Sequence, residues 1–130
     1  MVNLESSQKF TLALVQMSMD EDGETNINRA IGWCEKAVRQ SAQVICLPEL
    51  FASRYFCQRE DTDRFQYAEN INGPLATRFT QFAKDNAVVM IVPFFERRGP
   101  GVYHNSVLVI DADGNPLGVY RKMHIPDDPA

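Results

Sequence analysis

The chain has 130 residues, of which 45% are hydrophobic and 23% charged, and its net charge is −4. This composition is that of one folded domain and excludes a disordered or collagen-like chain. The acidic balance argues against nucleic acid or an anionic membrane as a partner, because both bind positively charged surfaces. No stretch approaches the roughly twenty apolar residues of a membrane span, and the N-terminus has no signal-peptide pattern, so we expect a cytoplasmic protein.

The beginning of the chain predicts a βαβ unit. Residues 1–9 are expected to be a flexible leader, and 10–16 predict a strand with so little polarity on either face that it is covered on both sides. The acidic segment 20–24 predicts a solvated loop. From Asn26 onward the apolar residues fall on one stripe of a helix, and the β-branched run at 44–47 predicts a buried strand.

The second part of the chain predicts one helix and three strands. The long segment 49–70 is expected to be a functional loop or to contain a short helix. Pro74 suits the first position of a helix. Strands are predicted from apolar runs at 88–95, 103–110 and 117–121. The first run is too apolar for an exposed strand and is broken at 97–101, and the last two are joined by a turn at 111–115.

Three cysteines, Cys34, Cys46 and Cys57, make an odd number and have no Cys-x-x-Cys spacing. This odd number argues against a disulfide scaffold. A zinc site is not expected either, because neither His104 nor His124 lies near a pair of cysteines. No metal and no cofactor are predicted. The default interpretation of Cys34 and Cys46 is a small buried hydrophobe, and that of His104 is a hydrogen-bonded structural histidine.

Glu49 is the first candidate for chemistry, because it follows the predicted strand 44–47 at its carboxyl end. Open α/β sheets place ligand-contacting residues at that end of their strands. Desolvation at the edge of an apolar layer disfavours the charged form of a carboxylate, which would prepare Glu49 to act as a general base. A surface or helix-capping glutamate is the alternative that position alone leaves open.

Lys122 is the second candidate, at the end of the predicted strand 117–121. Because Arg121 alternates to the opposite face, one of these two side chains can point inward while the other stays in solvent. An inward lysine can stabilise an oxyanion, although the spacing also fits a solvated pair. His124 lies two residues further, on the same side of an extended chain as Lys122. The sequence does not show whether these groups meet Glu49.

Two segments resemble the first two signature segments of the nitrilase (carbon–nitrogen hydrolase) superfamily, in the order in which that superfamily has them. They are 47–51 (LPELF) and 120–126 (YRKMHIP), and they follow 12–16 (LALVQ). The segment 103–110 (YHNSVLVI) and the turn after it also fit the hairpin that these enzymes place before the lysine. The resemblance runs from about residue 10 to the C-terminus.

Within the superfamily, 55–58 (YFCQ) and 122–128 (KMHIPDD) most resemble N-carbamoylputrescine amidases. The resemblance implies a four-layer αββα sandwich, of which this α/β chain is the N-terminal half, and assembly into homo-oligomers. It also implies a small carbamoyl amine or amide as substrate, most readily N-carbamoylputrescine, hydrolysed to putrescine, carbon dioxide and ammonia.

The resemblance further implies a Glu-Lys-Cys triad. By match of motif, Glu49 is the general base and Lys122 stabilises the tetrahedral intermediate. His124 is implied to help hold the carbamoyl group, and Tyr55 to line the pocket.

The nucleophile of that family follows the lysine segment on a strand-to-helix turn, a context that none of Cys34, Cys46 and Cys57 has. Residues 10–130 are therefore expected to be the N-terminal part of a single hydrolase domain, truncated before the nucleophile and inactive alone.

Two other functions remain open at this point. A non-catalytic interaction module derived from half of a nitrilase-like fold would explain the missing cysteine, but such a module has no need of Glu49 or Lys122. A flavodoxin-like nucleotide binder is disfavoured, because no glycine-rich phosphate loop follows Gln16.

Overall fold

The structure is a computed structural model that describes residues 9–56 and 62–125. Its elements follow the chain as β1 (Leu12–Leu14), α1 (Gly23–Arg39), β2 (Val44–Cys46), a 3-10 helix (Thr62–Tyr67), α2 (Pro74–Asn86), β3 (Val89–Gly99), β4 (Val102–Ile110) and β5 (Pro116–Arg121). Apart from Lys9, the predicted leader 1–9 lies outside the described residues.

The described strands form one sheet in the order β1-β2-β3-β4-β5. β1, β2 and β3 are parallel, β4 is antiparallel to β3, and β5 is antiparallel to β4. The parallel pairs are joined by α1 and α2, and buried residues of both helices share one core cluster on the same face of the sheet. Two successive crossovers of the usual right hand have this arrangement. The predicted α/β class is confirmed.

The core lies between the sheet and the two helices. Strand side chains alternate between faces, and those directed at the helices are buried. The largest of them are Ile45, Met90, Val92, Phe94, Leu108 and Ile110. From the helices, Ile27, Cys34, Leu75 and Phe79 complete the same cluster.

The opposite face of the sheet, here called the open face, carries Leu12, Leu14, Asn105 and Tyr120. Leu12, Leu14 and Tyr120 are 49%, 74% and 60% exposed. The expectation that the first strand is covered on both sides is therefore wrong within the described residues. The physical reason is that α1 and α2 lie on the same side of the sheet.

The first helix begins earlier than its apolar stripe predicts. The carboxylate of Asp22 accepts hydrogen bonds from the backbone N–H of Thr25 at 2.8 Å and from its hydroxyl at 2.6 Å, so that α1 begins at Gly23. These bonds lower the pKa of Asp22, as suits a negative charge at a helix N-terminus. The segment 20–24 is thus partly helix, not the solvated loop expected, whereas Pro74 is the first residue of α2 as predicted.

Two further boundaries differ from the expected ones. β3 continues through Arg97 and Arg98 to Gly99, because its pairing with β4 extends that far and includes a bulge. The segment 49–70 contains the 3-10 helix at Thr62–Tyr67. No helix within the described residues is both long and apolar enough to cross a membrane.

Candidate active site

Glu49 lies where the chain turns away from β2. The next residue, Leu50, has a left-handed backbone with φ of 50°, which is uncommon for a residue with a side chain. Leu50 and Phe51 are both buried in the core. Packing of these two side chains therefore holds a sharp turn in place, and the Glu49 side chain stays 47% exposed at the edge of the sheet.

Lys122 directly follows β5, which is separated from β2 in the sheet by β3 and β4. β5 runs in the same direction as β2 and β3, so the carboxyl ends of β2 and β5 lie at one edge. The Nζ atom of Lys122 is 3.0 Å from Oε1 of Glu49, and the Lys122 side chain is 33% exposed. The two main candidates from the sequence therefore meet.

Asn105 on β4 is a third member of this group, and sequence reasoning assigned it no role. Its Nδ2 donates a hydrogen bond to Oε1 of Glu49 at 2.6 Å. Its backbone carbonyl accepts from the N–H of Lys122 at 2.8 Å. The signal that could have found it is a carboxamide on the open face of β4, where its neighbours are Tyr103 and Val107.

The charge of Glu49 is stabilised by these two donors. Burial raises the pKa of Glu49 and is the largest single effect. The hydrogen bonds from Lys122 and Asn105, together with the charge of Lys122, outweigh it and hold the pKa below its usual value. Desolvation thus acts in the expected direction, but the expected net effect is wrong, because the paired carboxylate has a lowered pKa and its charged form is favoured. At neutral pH it is ionised and can accept a proton.

On the helix-covered face, the Arg121 side chain is 34% exposed and is held by an ion pair rather than standing fully in solvent. Its Nε and Nη2 donate to the two carboxylate oxygens of Glu96 at 2.7 and 2.6 Å, and the Ser106 hydroxyl donates to the same carboxylate at 2.6 Å. Arg121 points to the face opposite Lys122, as the alternation predicts. The expectation of a solvated residue is wrong, because Glu96 is only 1% exposed and needs a counter-charge.

Glu96 is a structural carboxylate that sequence reasoning missed. Burial raises its pKa most, but the hydrogen bonds from Arg121 and Ser106 and the positive charge of Arg121, with a smaller electrostatic contribution from His104, lower it below the ordinary value. His104 pairs with Glu96 in the strand register. The Nε2 atom of His104 is buried and has no hydrogen-bond partner among the described residues, so the expectation of a fully hydrogen-bonded histidine is wrong for that nitrogen.

Neither of the two predicted substrate-binding residues forms a hydrogen bond or ion pair with Glu49 within the described residues. His124 is exposed in the segment after β5, and within the described residues no hydrogen bond or ion pair joins it to Glu49. Tyr55 is 49% exposed and lines a depression with Glu21, Arg54, Arg64 and Tyr67. That depression does not include Glu49 or Lys122.

The described cysteines have thiols that resist ionisation. Cys34 is fully buried on α1, where burial and then the charge of Glu35 raise its pKa to about 12. Cys46 lies in β2, where burial raises its pKa. An attacking thiol needs the opposite shift. Cys57 lies outside the described residues. Within residues 9–56 and 62–125, no three His, Cys, Asp or Glu side chains cluster in a way that would hold a metal ion.

Comparison with known proteins identifies relatives of this chain. The carbon-nitrogen hydrolase family profile matches residues 11–130. An N-carbamoylputrescine amidase from Oryza sativa subsp. japonica is 39% identical over 125 residues, which are 95% of this chain and 41% of that protein. A citrullinase from Francisella tularensis is 36% identical over 117 residues, 89% of this chain and 41% of that protein.

A solved structure resembles this chain in both fold and sequence. The crystal structure of a carbon-nitrogen hydrolase from Helicobacter pylori G27 superposes with a TM-score of 0.85 at 33% identity, over 91% of this chain and 41% of that one. The chain thus spans about 41% of the length of the relatives it matches. With the family profile matched over residues 11–130, the chain belongs to the carbon-nitrogen hydrolase family.

Proposed function

We propose that the intact protein hydrolyses the carbamoyl group of N-carbamoylputrescine, releasing putrescine, carbon dioxide and ammonia. The observation that carries the proposal is the contact of the Glu49 carboxylate with the Lys122 ammonium at 3.0 Å, in a chain of this family. The relatives named above support the choice of substrate, because N-carbamoylputrescine and citrulline both end in a carbamoylated amine.

The chemistry needs a strong nucleophile, because a carbamoyl carbon is a poor electrophile. Glu49 takes the proton of a cysteine thiol, and the resulting thiolate adds to the carbamoyl carbon. Lys122 stabilises the negative charge that develops on the carbonyl oxygen. The C–N bond to putrescine then breaks, putrescine leaves with the proton held by Glu49, and a carbamoyl thioester remains.

The second half of the reaction returns the enzyme to its starting state. Glu49 removes a proton from water, the hydroxide adds to the thioester, and the C–S bond breaks. The thiolate recovers its proton, and the released carbamic acid gives carbon dioxide and ammonia. In this proposal the thiol belongs to a cysteine in a segment that follows this chain, His124 helps hold the carbamoyl group, Tyr55 lines the pocket, and the enzyme assembles as a homo-oligomer.

The test is turnover by the intact protein with N-carbamoylputrescine, citrulline and a simple aliphatic amide, measured as ammonia release and amine formation. Glu49→Gln keeps the shape but cannot take the proton, so kcat should fall roughly 10²–10⁴-fold. Glu35→Gln removes an exposed carboxylate on α1 and should leave kcat unchanged. Near-normal turnover in Glu49→Gln would contradict the assignment.

The 130-residue chain alone should release no ammonia from N-carbamoylputrescine. If it does, and Cys57→Ala abolishes the release, the nucleophile lies within this chain. The competing proposal, a non-catalytic interaction module, requires that the intact protein turn over none of the three substrates. The close Glu49–Lys122 pair argues against it, since a scaffold gains little from two charged groups held at an exposed sheet edge.

A further inference from the structure

We infer that Asn105 is the positioning residue of this site: its carboxamide holds Oε1 of Glu49 and thereby leaves Oε2 as the oxygen that takes the proton. The inference rests on the proposed function and adds a residue to which that proposal gives no role.

The two hydrogen-bond donors around Glu49 share one of its oxygens. Asn105 Nδ2 and Lys122 Nζ both bind Oε1, at 2.6 and 3.0 Å. A carboxylate has two oxygens and about four lone-pair positions. Within the described residues no donor is bonded to Oε2. A proton arriving at Oε1 would have to displace a fixed hydrogen bond, whereas one arriving at Oε2 would not.

Asn105 is better placed than Lys122 to hold the carboxylate. Asn105 is half-buried on β4, between β3 and β5, and its backbone carbonyl also binds the N–H of Lys122 at 2.8 Å. An asparagine has a short side chain, whereas ordering the four-carbon stem of a lysine is entropically more expensive. One strand residue therefore holds Glu49 through its side chain and the backbone of Lys122 through its carbonyl.

Lys122 and Asn105 have different tasks in the proposed reaction. The ammonium of Lys122 is needed at the developing oxyanion, so its bond to Glu49 weakens as the transition state forms. The amide of Asn105 has no such second task. It keeps the carboxylate directed at the thiol, and later at water, while Lys122 turns to the substrate oxygen.

The test uses Asn105→Leu, which removes the donor at similar volume, and Asn105→Asp, which keeps the shape but replaces the donor with a like charge. In the intact protein both should lower kcat, up to about 10²-fold for a misplaced base, with little change in KM. Loss of the hydrogen bond should also move the acid limb of the kcat/KM profile to higher pH, and further in Asn105→Asp than in Asn105→Leu. Asn72→Leu, at an exposed asparagine before α2, is the matched control.

Titration of the Glu49 carboxyl by carbon-13 NMR provides a readout that needs no turnover. Its midpoint should rise in the order wild type, Asn105→Leu, Asn105→Asp. If the wild type turns over none of the substrates, the proposed function fails while this titration still tests the inference. A lowered kcat with the acid limb and the NMR midpoint both unmoved would reduce Asn105 to a packing residue and overturn the inference.

Discussion

Lys122 reaches Glu49 across 73 positions of sequence, and the proposed function gives the two charges different tasks. In the resting pair, the ammonium lowers the pKa of the carboxylate and keeps it ready to accept a proton. In the proposed reaction the same ammonium faces an oxyanion that is absent from the bound substrate and develops as the tetrahedral intermediate forms. This difference makes the contribution of Lys122 separable from that of Glu49 by kinetics.

Lys122→Met should lower kcat roughly 10²–10³-fold, the effect of losing one oxyanion donor. KM should change little, because the lost contact strengthens only in the transition state. The substitution also removes two of the effects that lower the pKa of Glu49, so the acid limb of the kcat/KM profile should move to higher pH. Steady-state kinetics over a pH series checks both expectations, with the exposed Lys9→Met as the control.

Arg121 shows that a neighbouring residue is not automatically a neutral control. The alternation of β5 predicts that Arg121→Met has little effect on kcat, since the side chain points away from Lys122. In the structure, however, Arg121 neutralises the buried Glu96 on β3, two strands away, so that a substitution of Arg121 is not expected to be neutral. Its removal would leave a buried charge unpaired and disturb the strand that carries Lys122.

At the level of the strands, the cluster of Glu96, Ser106 and Arg121 ties β3, β4 and β5 together under the site. Glu96→Gln should destabilise the intact protein by about 1–3 kcal/mol, because hydrogen bonds to a charged group are lost. Arg121→Met should destabilise it more. The midpoint of urea unfolding measures both changes, and Glu35→Gln serves as the control for loss of an exposed carboxylate.

The pH dependence of this stabilisation has a defined sign. The pKa of Glu96 in the folded protein lies below its ordinary value of 4.5. Its contribution is therefore complete above that value and is lost as the pH falls through the lower, folded pKa. The difference in stability between wild type and Glu96→Gln should be largest near neutral pH and should narrow in acid. A constant difference across that range would show that the carboxylate charge is not what stabilises the cluster.

The same cluster marks the limit of what the sequence predicts. Glu49 and Lys122 can be found because each follows a strand, and strand ends can be recognised from apolar runs. Asn105 and Glu96 acquire their roles only through the register that sets β4 against β3 and β5. Alternation along one strand shows which residues share a face, but it does not show which residue of the next strand lies opposite.

For the whole molecule, the open face is the feature with the clearest physical consequence. It leaves Leu12, Leu14 and Tyr120 in contact with water. Each Å² of apolar surface that stays exposed loses about 25 cal/mol of the free energy that its burial would contribute to stability. The predicted half of a four-layer sandwich accounts for such a face, because a second sheet would cover it.

The 130-residue chain alone should therefore associate with itself. We expect light scattering after gel filtration to give masses above that of one chain, and Leu14→Lys to shift the population toward monomer. Leu14→Ile preserves the apolar surface and should not. A monomeric wild-type chain that melts cooperatively would contradict this expectation.

The order of the strands in the sheet is also their order along the chain. A ribosome making this part of the protein therefore completes one neighbour of each of β2, β3, β4 and β5 before that strand emerges, and among the five described strands none inserts between two earlier ones. Assembly can proceed from β1 to β5 as synthesis advances. Lys122 comes last in this sequence of events, and the charge pair with Glu49 closes only when β5 has docked.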